Sequence, residues 1–127
     1  MDNDTNSQCS VFNEFDLMQR LMGDKSLEKD VIAAFLIEVP ELILSLRQYV
    51  DAGNTIQARL QAHTIRGAAA NLSAGKLRAT AEQVEELCKK EDLDGCKPSI
   101  TLLETEFKHF TDVLASLGLM QPHEEKA

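Results

Sequence analysis

At 127 residues, 43% hydrophobic and 27% charged, the chain has the length of one domain and enough apolar material for a core without covalent staples. Its formal net charge of −8 argues against nucleic acid as a partner, because a phosphate backbone rewards clustered Lys and Arg. Cys9, Cys88 and Cys96 form neither a metal-binding spacing nor an even disulfide set, and the longest apolar run is too short to insert in a bilayer, so a soluble, cytoplasmic protein is expected.

The first residues, 1–10, are polar and without periodicity and are expected to be a tail or linker remnant. A short helix is predicted over Asn13 to Met22, capped by Asn13, stopped by Gly23 and apolar along Leu17, Met18, Leu21 and Met22. After Asp24, Leu27, Val31, Phe35 and Val39 step by four, and Leu42, Leu46 and Tyr49 or Val50 continue the face to Gly53. Pro40 lacks an amide hydrogen and predicts a kink or a restart near Glu38.

Asn54 with Gln57 reads as a capping box opening a third helix that ends near Leu72. At roughly 100° per residue, Ala58, Ala62, Ile65, Ala69 and Leu72 form a seam for neighbouring helices. His63 falls about 140° away, on a face shared with Ile56, Leu60, Gly67 and Ala70, with Arg59 and Arg66 alongside, where a partner can meet it. Glycine inside a helix costs about 1 kcal/mol relative to alanine. Gly67 therefore reads either as clearance for a surface approaching the imidazole or as room for a neighbouring helix to pack. Arg66, one turn from His63, places a fixed cation where an anion on the ring would sit.

A return helix from Ser73 or Ala74 carries Leu77, Ala81, Val84 and Cys88 on its buried stripe, with Lys89 and Lys90 near its C-terminal dipole. If the two helices form a hairpin about Ser73, Gln83 to Glu85 come level with His63. A polar side chain at this level, Gln83 or Glu85, either orients the imidazole or is one more surface group. Asp94-Gly95 reads as a turn and Pro98 as the first position of a last helix, with Ile100, Leu103, Phe107, Phe110, Leu114 and Leu117 inward. Gly118 is the expected stop, and 119–127 a frayed tail. The expected fold is all-α: an up-down antiparallel four-helix bundle over 11–118, with the short N-terminal helix packed against it.

The run His63-Thr64-Ile65-Arg66-Gly67-Ala68-Ala69-Ala70-Asn71-Leu72-Ser73-Ala74 resembles the signature of histidine phosphotransfer (HPt) domains, His-x-Leu-Lys-Gly-Ala-Ala-x-Asn-Leu/Ile-Gly-Ala. Arginine stands at Arg66 where lysine is usual, and Ser73 where glycine is common. The resemblance implies that His63 carries a phosphoryl group, on Nε2, that Arg66 assists, and that Gly67 gives access. The family often holds a glutamine or glutamate beside the ring 22 residues after the histidine, which here is Glu85. It also implies receiver domains of response regulators, or of a hybrid sensor kinase, as donors and acceptors in a phosphorelay. Ile56, Arg59, Leu60 and Ala70 are the expected partner-binding residues.

No Gly-rich phosphate loop or nucleophile elbow is present, so the chain is expected to bind no ATP or other cofactor, Mg²⁺ being supplied by the receiver. A monomeric carrier without a complete active site of its own is expected, either free-standing or the terminal domain of a hybrid kinase. Two other readings compete: a non-catalytic interaction bundle that binds a signalling partner without accepting phosphate, and a metal-binding bundle built on Glu106 and His109. The Glu-x-x-His spacing occurs once, whereas di-iron bundles need two copies and further carboxylates. His123 stands in the tail with no chemistry-bearing neighbours.

Overall fold

The computed structural model describes residues 10–120, which form five helices and no strand. They are α1 (Glu14–Arg20), α2 (Lys25–Asp51), α3 (Thr55–Asn71), α4 (Gly75–Lys89) and α5 (Leu93–Ser116). All but α4 are opened by an Asn or Asp side chain that takes up a free amide of the first turn. Asn13 accepts from the amide of Asp16, Asp24 from Leu27, Asn54 from Gln57 and Asp92 from Gly95, at 2.9–3.1 Å. Helix α4 starts at Ala74 without a side-chain cap.

Each of the four long helices packs on the next, and α5 closes onto α2. The contact between α3 and α4 is the most extensive, because α3 presents Ala58, Ala62 and Ala69 around Ile65, and small side chains let α4 approach with Leu77, Ala81 and Val84. Phe35 and Phe110 fill the space between α2 and α5, ring centroids 5.0 Å apart, with Phe12 edge-on to Phe110 at 5.4 Å. The seams predicted for α3 and α4 are all buried.

Several expectations are corrected. Helix α2 runs unbroken through Pro40, which lies on the exposed side, where water can satisfy the carbonyl that loses its amide partner. Its buried face is Glu28, Ile32, Phe35, Val39, Ile43, Leu46 and Val50, and Leu27 is exposed. Steps of four drift by about 40° each, so the stripe begun at Leu27 starts outside the core and enters it only at Phe35 and Val39, where alternating steps of four and three then keep it. Helix α5 begins at Leu93 rather than Pro98, because Asp92 caps it; Asp94 and Gly95 are its first turn rather than a separate one. Met22 and Leu117 are exposed, whereas Leu119 and Met120, expected to fray, pack against the core. Residues 1–9 and 121–127, with Cys9 and His123, lie outside the described residues.

Helix α1 is fastened to the end of α3. The Arg20 guanidinium donates to the carbonyls of Ala70 and Asn71 at 3.1 and 3.0 Å and to the Ser73 hydroxyl, which in turn donates to Asp16 at 2.7 Å. A cation there complements the negative end of the α3 dipole. Ser73 adopts φ +56, a conformation that favours glycine, and these two side-chain bonds hold it there.

Glu28 is the buried charge that sequence reading passed over. One carboxylate oxygen has no hydrogen-bond partner, and the other lies 3.8 Å from Lys25, which Glu14 shares at the same distance. Burial, and then the neighbouring Glu14, raise the Glu28 pKa above the ordinary 4.5, while Lys25 partly opposes them. A carboxyl whose pKa is raised on folding binds its proton more tightly in the native state. Its contribution is therefore fully present below the unfolded pKa and is lost as pH rises through the folded value. Glu28→Gln should raise the melting temperature by a few degrees near about pH 7 and change it little near about pH 4, as thermal unfolding at the two pH values will show.

Candidate functional site

His63 stands on the face of α3 opposite the alanine seam, with 58% of its side chain exposed. Its Nδ1 lies 3.0 Å from Oε2 of Glu85, which reaches across from α4 and is itself only 13% exposed. Arg66, one turn on, places Nη2 3.2 Å from the same ring nitrogen and Nη1 3.3 Å from Oε1 of Glu85. The three side chains thus close a triangle of cation, carboxylate and imidazole. The level predicted from the hairpin holds Glu85 against the ring, and Gln83 is exposed without a contact to it.

The two contacts at Nδ1 make opposite demands. A carboxylate only accepts, so it needs the proton on Nδ1; a guanidinium only donates, so it needs Nδ1 bare. The anion is the nearer partner, and Arg66 already has its charge met by Glu85, so the arrangement favours Nδ1–H. Nε2 then carries the lone pair, and neither contact engages it.

Beside the ring a groove of about 530 Å³ runs between α3 and α4, lined by Thr55, Ile56, Arg59, Leu60, His63, Glu85, Cys88, Lys89 and Glu91. Ile56 and Leu60 are 73% and 51% exposed, an apolar pair beside the imidazole. The predicted partner residues Ile56, Arg59 and Leu60 are therefore gathered with His63. Ala70 is exposed but lies two turns further along α3, outside the groove. Thr55 and Glu91 were not singled out from sequence, and Lys89 was read only as a complement to the dipole of its helix; its one-turn spacing from Glu85 was the available signal.

A Cβ built on Gly67 meets nothing within 4 Å, so Gly67 faces open space and makes no room for a neighbouring helix. That removes the packing account, and the open space is what a clearance role would require. The Glu106–His109 pair is 3.7 Å apart with His109 exposed, and no cluster of three or more metal-ligating side chains occurs among the described residues.

Because the space beside Gly67 is empty, Gly67→Ala should raise the free energy of urea unfolding by about 1 kcal/mol, the helix-propensity difference. Gly67→Gln should also remain folded. Destabilisation by both substitutions would show that Gly67 is a packing residue after all.

Comparison with known proteins identifies the family. The family model for the Hpt domain matches residues 30–116. A relative from Oryza sativa subsp. japonica, "Histidine-containing phosphotransfer protein 1", is 25% identical over 99 residues, covering 75% of this chain and 67% of its own length. No solved structure matches the chain. With more than half of its length matched by the family model, and a helical body presenting an exposed histidine, the chain belongs to the Hpt domain family and has a phosphotransfer role in a phosphorelay.

Proposed function

We propose that His63 accepts a phosphoryl group from the aspartyl phosphate of one receiver domain and passes it to an aspartate of another. The observation that carries this reading is the contact of Glu85 with Nδ1, which leaves the exposed ring with its lone pair on Nε2. Nε2 attacks phosphorus, the N–P bond forms as the P–O bond to the aspartyl carboxylate breaks, and the electron pair leaves with that carboxylate. The ring gains positive charge as it bonds, and Glu85, hydrogen-bonded to Nδ1–H, stabilises that charge. Arg66 stands ready for the arriving phosphoryl oxygens, and Gly67 leaves the approach clear. Mg²⁺ and the in-line geometry come from the receiver, because this chain offers the acceptor and not a full catalytic site.

The fold suits such a carrier. Three-residue connections, 52–54, 72–74 and 90–92, join the four long helices, and links this short favour antiparallel neighbours in an up-down bundle. The receiver would seat its apolar surface on Ile56 and Leu60, with Arg59 and Ala70 at the edges of the contact. In this reading the protein works as a monomer in the cytoplasm. No helix among the described residues is long and apolar enough to cross a membrane.

The direct test is transfer from a phosphorylated receiver. His63→Gln should abolish labelling while unfolding in urea within about 0.5 kcal/mol of the parent, as exposed substitutions usually do. Labelling that survives would mean another acceptor.

Arg66 gives a graded test. Its guanidinium is bound to Glu85 before transfer and becomes available to the phosphoryl group afterwards, so its loss should act chiefly on transfer and on product lifetime. Transfer rate and phosphohistidine lifetime should fall in the order Arg66, Arg66→Lys, Arg66→Ala, the alanine variant by roughly tenfold or more, equivalent to about 1.4 kcal/mol. Measured at one salt concentration, equal values across the series would remove Arg66 from the reaction.

A further inference from the structure

Cys88 and Cys96 are buried free thiols whose sulfurs lie 3.5 Å apart across the connection between α4 and α5. The proposed transfer uses neither of them. Cys88 is also part of the groove wall beside His63, and it follows Glu85 by three residues, hence by less than one turn of α4. One side of this turn holds the carboxylate that binds the ring, and the adjoining position holds a thiol that touches α5. A change at the sulfur pair therefore acts on the same short piece of helix that holds Glu85 at 3.0 Å from Nδ1.

We propose that a hydroperoxide oxidises Cys88 and Cys96 to a disulfide, and that this bridge draws the last turn of α4 toward α5, withdrawing Glu85 from His63 and slowing phosphoryl acceptance. The effect on acceptance rests on His63 being the acceptor; formation of the bridge does not. A disulfide needs its sulfurs at about 2.05 Å, so the pair must close by about 1.5 Å. Helix α4 lies between α3 and α5 in the packing order, and a pull toward α5 lengthens the distance to the α3 imidazole.

The chemistry balances with the peroxide alone. The Cys88 sulfur attacks the terminal peroxide oxygen, the O–O bond breaks, and the leaving oxygen takes up the thiol proton to depart as alcohol, giving a sulfenic acid. The Cys96 sulfur then attacks the Cys88 sulfur and expels water. Two thiols lose two electrons, and the hydroperoxide gains them. Cys88 is the first nucleophile because it borders the groove. Burial raises its pKa, the bond from Cys96 opposes that and the nearby Glu85 carboxylate adds to it, whereas burial and the same bond push Cys96 up to about 12. Both thiols are thus protonated at rest, and the reduced pair persists until peroxide rises.

The test treats the full chain with hydrogen peroxide and follows three readouts: peptide mapping by mass spectrometry, the ring nitrogen signals of His63 by NMR, and the rate of labelling by a phosphorylated receiver. The expected result is a bridge mapped to Cys88 and Cys96, a shift of the His63 Nδ1 signal as its carboxylate partner leaves, and labelling slowed roughly tenfold, the usual scale for losing a group that orients a functional histidine. A thiol reductant should reverse all three. Cys96→Ala, which cannot bridge, should show no ring-signal shift after the same treatment. Absence of the bridge in the parent, or a bridge that leaves the His63 ring signals unmoved, overturns the proposal. If the reduced protein accepts no phosphoryl group, the acceptor reading fails by itself, and the mapped bridge and ring signals still decide this one.

Discussion

The site depends on one carboxylate reaching across a helix seam. Glu85 is largely enclosed, so its charge is little diluted by water, and it meets both the His63 ring and the Arg66 guanidinium. A surface ion pair would contribute little on its own. What Glu85 contributes is selection, because it distinguishes the two ring nitrogens by engaging one of them. That selection requires α4 to stand close to α3, which it does because the facing side chains of α3 are mostly alanines. The alanine seam and the tautomer are thus physically linked: substituting larger residues at Ala62 or Ala69 would move the carboxylate before it disturbed the histidine.

The end of α3 shows a second dependence. The common glycine of the family signature is Ser73 here, in a left-handed conformation that a serine does not favour. Its hydroxyl is held between Arg20 and Asp16 of α1, and Arg20 also takes up two carbonyls at the end of α3. The departure from the signature is therefore accompanied by a local set of polar contacts from the short N-terminal helix. Helix α1 is too short to be stable alone, so the dependence runs both ways.

What the sequence made legible follows from how far each feature reaches. His63, Arg66 and Gly67 share one helix face, and a helix converts spacing into direction without further information. A hairpin about Ser73 brought Gln83 to Glu85 level with the ring, and the resemblance rather than the spacing pointed to Glu85 among them. The α3 and α4 seams were readable because each helix is short and its apolar positions unambiguous. Helix α2 is longer and richer in apolar residues, so a stripe begun at Leu27 reached the core only at Phe35, and Ile32 and Ile43 were passed over. Pro98 suggested a helix start, but the cap at Asp92 decided it. The Cys88–Cys96 contact and the burial of Glu28 belong to no single helix, and a linear pattern carries no signal for either.

If His63 is the acceptor, as proposed, the triangle around it would suit both acceptance and release. Before transfer, in the proposed mechanism, the carboxylate and the guanidinium cancel, and the imidazole adds no charge. After transfer the phosphoryl oxygens bring two negative charges and the ring one positive, so the three residues together carry a net negative charge. Glu85 is then drawn to the charged ring and Arg66 toward the phosphoryl oxygens, which divides a pair that was whole at rest. In that mechanism, stabilising the product would cost the Arg66–Glu85 contact, and that cost would limit how tightly the phosphoryl group is held. A carrier needs this limit, because a phosphohistidine bound too favourably would not pass its group to the next aspartate.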